Sequence, residues 1–275
     1  MTRAASPTAP IGVFDSGLGG LTVARAVLRQ LPNESLVYVG DSARVPYGPK
    51  SPDTVRRYAL QIGEWLVEQG VKCVVVACNT ATAHALEALQ AALPVPVIGV
   101  ITPGARAAVR TTTHGAVGVI ATSGTIASGA YVKALRVAAQ GTDIPLAVQA
   151  VACPLFVPLV EEGWVEHPAT RLIVQQYLAP LRAQAVDTLV LGCTHYPLLR
   201  DVIADEMGAT VALIDSAEET AVDVVRVLSE SNRLAPDHGT PVHRFVSSDA
   251  PHHFLVLGSR FLGRPLNHVE HHVFT

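Results

Sequence analysis

Three observations predict an α/β fold built as two pseudo-symmetric open parallel-sheet domains. Short apolar, β-branched runs alternate with helical patterns along most of the chain, the signature of a parallel sheet covered by helices. Two of those runs end at a cysteine followed by small polar residues. One runs from Val71 to Cys78 and continues into Asn79-Thr80; the other runs from Val186 to Cys193 and continues into Thr194-His195. A weak internal repeat also relates Gly12-Val13-Phe14-Asp15-Ser16-Gly17 to Gly118-Val119-Ile120-Ala121-Thr122-Ser123-Gly124. A lone buried cysteine is an ordinary core residue. Two in one local context suggest a matched pair of thiols.

The elements follow in order. Residues 1–9 read as a loose tail. Ile11 to Asp15 is a strand, and Leu21 to Leu28 has a helical apolar pattern after the turn Asp15-Ser16-Gly17-Leu18-Gly19-Gly20. Leu36 to Gly40 is a strand ending at Asp41-Ser42, and Arg44 to Lys50 is loop chemistry with two prolines and a glycine. Ser51 and Pro52 start a helix that runs to Gln69, with Gly70 as its stop. The first cysteine strand leads to a helix from Thr80 to Leu93, and Val97 to Ile101 is the next strand. In the second half, Ala116 to Ala121 is a strand followed by a helix to Ala139. Leu146 to Val151 is a strand, Cys153 to Gly163 a loop or broken helix, and His167 to Ala185 a helix. The second cysteine strand is expected to turn directly into a helix, as the first does. Val211 to Ile214 is a strand, with a helix to Ser231. A short tail section, a strand at Val242 to Val246 and then Asp249 to Leu262, packs back on the first half. The domains are therefore 1–101 with 216–275, and 102–215.

Composition narrows the classes of function. The 275 residues are 49% hydrophobic and 16% charged, enough apolar material for large cores. Net charge is −3 with no basic block, so nucleic acid is not an expected partner. Residues 1–10 have no apolar core of a secretory signal, and no run approaches the ~18 apolar residues of a membrane span. Cytoplasmic localisation and free thiols are expected for the four cysteines. They form no C-x-x-C, which argues against a zinc site and a dithiol redox protein. His252-His253 and His268, His271 and His272 lack the cysteines or carboxylates of a metal centre, so no metal is expected. The turn at Asp15 to Gly20 is not a nucleotide loop, because Thr22 stands where the third glycine of G-x-G-x-x-G belongs.

In open parallel sheets, ligands bind at the carboxyl ends of the strands. The distinctive polar clusters all fall there: Asp15-Ser16, Asp41-Ser42, Cys78-Asn79-Thr80, Thr122 to Thr125, and Cys193-Thr194-His195. With the halves facing, these clusters line one cleft with a thiol on each wall. Two opposed acid–base groups suit inversion of a stereocentre, one removing a proton while the other returns one to the opposite face. A thiolate is a fitting base for a weakly acidic α-proton, and a helix start favours the thiolate. Cys73, within its strand, and Cys153, before a proline, read as structural.

The stretches Asp15 to Gly20, Gly40 to Gly48, Ala77 to Ala81 and Leu191 to Leu199 resemble the cofactor-independent aspartate/glutamate racemase family, and the likeness extends from Ile11 to Gly263. The resemblance implies interconversion of L- and D-glutamate, supply of D-glutamate for peptidoglycan, and no cofactor. It implies Cys78 and Cys193 as the acid–base pair, with Asp15, Glu161 and His195 as auxiliary polar residues. Ser16, Tyr47, Gly48, Asn79, Thr80, Thr122, Thr125 and Thr194 match the substrate-binding set. Asp15, Asp41, Ser42 and His195 join that set by position, with loop capping as the alternative for Asp41. Arg44 and Lys50 stay unassigned, as do residues 1–10 and Asn267 to Thr275. The expected partner is glutamate, and the expected assembly a homodimer. An aspartate racemase and a two-lobed amino-acid-binding protein are the competing readings.

Overall fold

The computed structural model describes residues 6–237 and 239–275. In chain order the first elements are β1 (Ile11–Asp15), α1 (Leu21–Gln30), β2 (Leu36–Gly40), α2 (Pro52–Glu68), β3 (Cys73–Val76), α3 (Asn79–Ala92), β4 (Val97–Gly99) and α4 (Ile101–Thr111). There follow β5 (Ala116–Ala121), α5 (Ser123–Ala127), α6 (Ala130–Ala138), β6 (Ala147–Ala152), α7 (Phe156–Glu161), α8 (Pro168–Ala183) and β7 (Thr188–Gly192). A 3-10 turn at Tyr196–Leu199 precedes α9 (Arg200–Met207), β8 (Ala212–Asp215), α10 (Ser216–Glu230), β9 (His243–Ser247), α11 (Pro251–Leu262) and β10 (Glu270–His271).

The chain forms two compact units. One takes the chain up to Val100 together with Ala217–Thr275, and the other is Ile101–Ser216. The first unit holds a sheet in the order β10-β9-β2-β1-β3-β4, and the second a sheet in the order β6-β5-β7-β8. All pairings are parallel. The fully apolar strands explain why: β1, β2 and β3 are buried along their whole length, as strands covered on both faces must be. The core on one side of the first sheet joins Phe14, Val37, Val39, Val74 and Val76 to Val55, Ile62 and Leu66 of α2 and to Ala81, Ala85 and Leu89 of α3.

The run β2-β1-β3-β4 in one unit has the same order as β6-β5-β7-β8 in the other. The weak sequence repeat therefore falls on equivalent strands, β1 and β5, and the two cysteines follow equivalent strands, β3 and β7.

Five local points are corrected or filled in. The sequence reading leaves 102–115 without an element, but α4 occupies Ile101–Thr111 and buries Ala105, Ala107, Ala108 and Val109. Pro103 is tolerated because it sits in the first turn, where an N–H has no intrahelical partner. The helix expected up to Ala139 is split by Gly129, whose φ of 67° is left-handed, into α5 and α6. Cys193 is not followed by an α-helix: Thr194 and His195 form a turn into the 3-10 segment, and α9 starts only at Arg200. Residues 6–9 are held rather than loose, since Ala9 N–H bonds to the Ser6 carbonyl and the buried Lys72 donates to the Pro7 carbonyl at 2.6 Å. Residues 1–5 of that expected tail lie outside the described residues. Finally, the unassigned segment 267–275 gains an element, because Glu270–His271 adds an edge strand to the first sheet.

Candidate active site

In the first unit, β1, β2 and β3 bring their carboxyl ends together. Asp15 pairs in register with Gly40, and Phe14 with Val76. Close approach requires glycines at two places. A Cβ on Gly20 would lie 2.5 Å from the Asp15 Cβ and 2.8 Å from the Ala77 Cβ, and one on Gly40 would collide with the Gly17 carbonyl oxygen. The turn after β1 is thus pressed against the ends of β2 and β3.

Cys78 caps α3. Its backbone is extended (φ −71°, ψ 122°), and its sulfur accepts from the Ala81 N–H at 3.4 Å. This is an N-cap bond made by a thiol in place of a hydroxyl. The Ser16 hydroxyl stands 3.6 Å from the same sulfur. Asn79 and Thr80 follow in the first turn, both buried. Asp15 is buried below and accepts from the Gly17 N–H at 2.8 Å through Oδ2. The Tyr38 hydroxyl donates to the Gly17 carbonyl at 2.9 Å. Burial, reinforced by Asp15 and Cys78, holds that phenol protonated, so it serves as a fixed donor.

Asp41 is fully buried, and both its oxygens are engaged by the protein. Oδ2 accepts from Arg44 Nε at 2.7 Å and from the Tyr47 hydroxyl, and Oδ1 accepts from the Ser248 hydroxyl at 2.8 Å. The Ser42 hydroxyl meets the Ser247 hydroxyl at 2.7 Å and the Asp249 carbonyl at 3.0 Å. Asp41 and Ser42 therefore anchor the 41–48 loop, the alternative weighed for Asp41. Burial, then the neighbouring Asp41, pushes the Tyr47 phenol far up, so its hydroxyl is a permanent donor. Its side chain points into this network and the whole residue is buried, while Gly48 after it is half-buried.

In the second unit, β5 and β7 align Ala121 with Gly192, and the residues that follow carry the polar groups. Thr122 caps α5: its hydroxyl accepts from the Thr125 N–H at 3.4 Å and lies 3.0 Å from the Thr125 hydroxyl. Cys193 is buried, and its sulfur is 3.9 Å from His195 Nδ1. His195 Nε2 is 2.9 Å from a carboxylate oxygen of Glu161, the last residue of α7. The Thr194 hydroxyl lies 3.5 Å from His195 Nδ1. Burial alone would lower the His195 pKa, but its bonds to Cys193 and Glu161 outweigh that and push it up to about 10. The ring is an imidazolium at neutral pH. It donates from Nε2 to Glu161 and points Nδ1–H at the sulfur. A proton donor held in place by a third group is an arrangement that can serve a neighbouring proton carrier.

The other two thiols differ. Cys73 lies inside β3 with no exposed surface, and burial pushes its thiol up to about 12. Burial also raises the Cys153 thiol, with Cys193 adding to it. Among the described residues no group of three or more His, Cys, Asp or Glu side chains is placed to hold a metal ion, and no helix is long and apolar enough to cross a membrane.

Sequence reasoning missed Arg44, Tyr38, Ser247 and Ser248 as supports of the site. Arg44 offered a charge but no partner, and the serines are some two hundred positions from Asp41, so no local pattern links them.

The fold and the two polar sites define a two-unit α/β protein with a buried, hydrogen-bonded thiol at the end of an equivalent strand in each unit. Residues 11–224 match the model of the Asp/Glu/Hydantoin racemase family, and the chain belongs to that family. It is 52% identical over 263 residues to a glutamate racemase of Geobacter metallireducens, covering 96% of both chains. It is also 52% identical over 262 residues to one of Corynebacterium diphtheriae, covering 95% of this chain and 97% of the relative. Among solved structures, a glutamate racemase isoform of Bacillus anthracis matches with TM-score 0.90 at 45% identity over 96% of this chain and 97% of that one. A glutamate racemase of Francisella tularensis in complex with D-glutamate matches with TM-score 0.89 at 37% identity over 98% of both chains.

Proposed function

We propose that this chain is a glutamate racemase, an isomerase that interconverts L- and D-glutamate without a cofactor by proton transfer at two thiols. What most supports this reading is the recurrence of one arrangement: a buried thiol beside polar hydrogen-bonding groups, after β3 in one unit and after β7 in the other. The names of its half-identical relatives supply the substrate.

In this reading both thiols act on one bound glutamate. The Cys78 or Cys193 thiolate removes the α-proton from one face, forming an S–H bond as the C–H bond breaks. The electron pair passes into the α-carboxylate. The opposite thiol then donates its proton to the other face of the same carbon and becomes a thiolate. Proton count is conserved, and the reverse reaction exchanges the two roles. Asp15 holds the turn that carries Ser16, and His195, oriented by Glu161, relays charge to Cys193. Ser16, Asn79, Thr80, Thr122, Thr125 and Thr194 supply hydroxyl and amide groups for the ammonium and carboxylates, with the main chain of Tyr47 and Gly48. The product D-glutamate would feed peptidoglycan synthesis, and so cell-wall biogenesis and cell shape, in the cytoplasm. The assembly carried with this reading is a homodimer, checked by sedimentation.

The test is incubation of the purified chain with L-glutamate in D2O with no added cofactor, followed by chiral analysis and α-carbon deuterium content. D-glutamate labelled at the α-carbon is expected. A binding protein would give neither inversion nor exchange, and activity on L-aspartate alone would replace the substrate.

A further inference from the structure

The segment 267–275 adds an edge strand to the first sheet and has no part in the proposed chemistry. Its root is fixed by an ion pair between Glu270 and Arg244, with contacts of 2.9 and 2.7 Å. Strand β10 pairs with Val246 and Ser247 of β9, and the His272 N–H donates to the Ser247 carbonyl at 3.1 Å. His271 Nε2 lies 3.3 Å from the Ser248 carbonyl. Ser248 in turn donates to Asp41. The segment thus grips one of the groups that hold Asp41.

Its far end reaches the other. Arg44 binds Asp41 through Nε and Gln61 through Nη1 at 2.6 Å. Gln61 donates to the Thr275 carbonyl at 3.0 Å. The guanidinium carbon lies 4.1 Å from the centre of the Tyr58 ring and 5.4 Å from that of Phe274. Arg44 Nη2 is buried and has no hydrogen-bond partner among the described residues, so the ring faces offset its loss of water. Phe274 is itself fixed, edge-on to Trp65 at 5.9 Å and to His272 at 4.7 Å.

We propose that residues 270–275 form a strap that positions the 41–48 loop, with Phe274 as a positioning residue acting through Arg44 and Asp41. The inference rests on the reading that this loop faces glutamate. The strap closes two routes to one buried carboxylate, and Asp41 also orients Tyr47. Loosening it frees the loop without touching either thiol, so substrate binding suffers and the proton-transfer step does not.

The test compares Phe274→Ala, Phe274→Tyr and Gln61→Leu in the full chain, by glutamate kinetics and by amide hydrogen exchange of 43–48. For Phe274→Ala we expect KM to rise about fivefold with kcat within about twofold, the size of one part-exposed cation–π contact. Phe274→Tyr, which keeps the ring, restores KM; Gln61→Leu raises it by a smaller factor. Exchange of 43–48 quickens in Phe274→Ala while that of β1 and β3 does not change. An unchanged KM, or equal losses in kcat and KM, overturns the strap. If the unaltered chain fails to racemise glutamate, the functional reading falls, and the exchange experiment still decides the strap: unchanged protection of 43–48 rejects it. Should Phe274→Ala fail to fold, Gln61→Leu carries both readouts.

Discussion

The two cysteine sites share a place in the strand order and differ in how the sulfur is met. Cys78 caps a helix, and its sulfur is met by the Ala81 N–H and the Ser16 hydroxyl, both neutral groups. Cys193 has no α-helix behind it and faces a charged ring, His195, tied to Glu161. A helix start offers its amides and dipole to a thiolate as fixed partial charges. An imidazolium offers a full charge and a movable proton, at the cost of a third residue to hold it. Equivalent topology therefore specifies where a thiol goes and leaves open what stabilises it. The helix-start rationale applies to Cys78 alone.

The largest effect should come from the thiols themselves. Cys78→Ser or Cys193→Ser is expected to cut racemisation by about a thousandfold or more, since each removes one positioned acid–base group. Retention of near-full activity by either variant, measured by circular dichroism of glutamate, breaks the pairing of the two sites. Next is the charged partner. His195→Asn should lower kcat/KM by about a hundredfold. The loss must be equal in both directions, because the two enantiomers are equally stable. Any preference for one face then shows only in kcat and KM taken separately. Ser16→Ala, on the other side, should cost about tenfold or less, as one hydroxyl contact to sulfur is weaker than a charge.

Glu161→Gln sharpens the comparison through pH. The folded-state pKa of His195 is about 10, above its ordinary value of 6.5. Its charge therefore contributes stability that is complete below the ordinary histidine range and is lost as pH rises through about 10. Removing the Glu161 charge should move that alkaline loss to lower pH, read from melting temperatures between neutral pH and pH 10. Ser16→Ala should leave it in place. The smallest effect on rate is expected at Cys73. Cys73→Ser places a hydroxyl inside β3 and should cost about 1–2 kcal/mol of stability, read by denaturant unfolding, with kcat within about twofold.

Most of the frame was legible because its signals are local. The apolar runs of β1, β2, β3, β5 and β7, the Ser51-Pro52 start of α2 and the Gly70 stop are short-range patterns, and each element stands within a residue or two of its expected place. The same holds for the polar residues at strand ends, including Cys78 and Cys193. Helix α4 escaped notice because Pro103 and Gly104 in its first turn are poor helix formers and weaken the local signal. The helix expected directly after Cys193 is absent, since the Pro197-bearing turn there resembles a helix start in one dimension.

The sequence by itself thus determined the alternation of strand and helix, the paired position of the thiols and the family likeness, all written in nearest neighbours and in motif order. Tertiary structure alone decided that Glu161 meets His195, that Asp41 is spent on Arg44, Tyr47 and Ser248, and that Phe274 covers Arg44. These contacts join residues far apart in the chain or, like Asp41 and Arg44, select one partner among several within reach. They exist only because parallel strands bring distant carboxyl ends side by side, where a buried charge must find a partner.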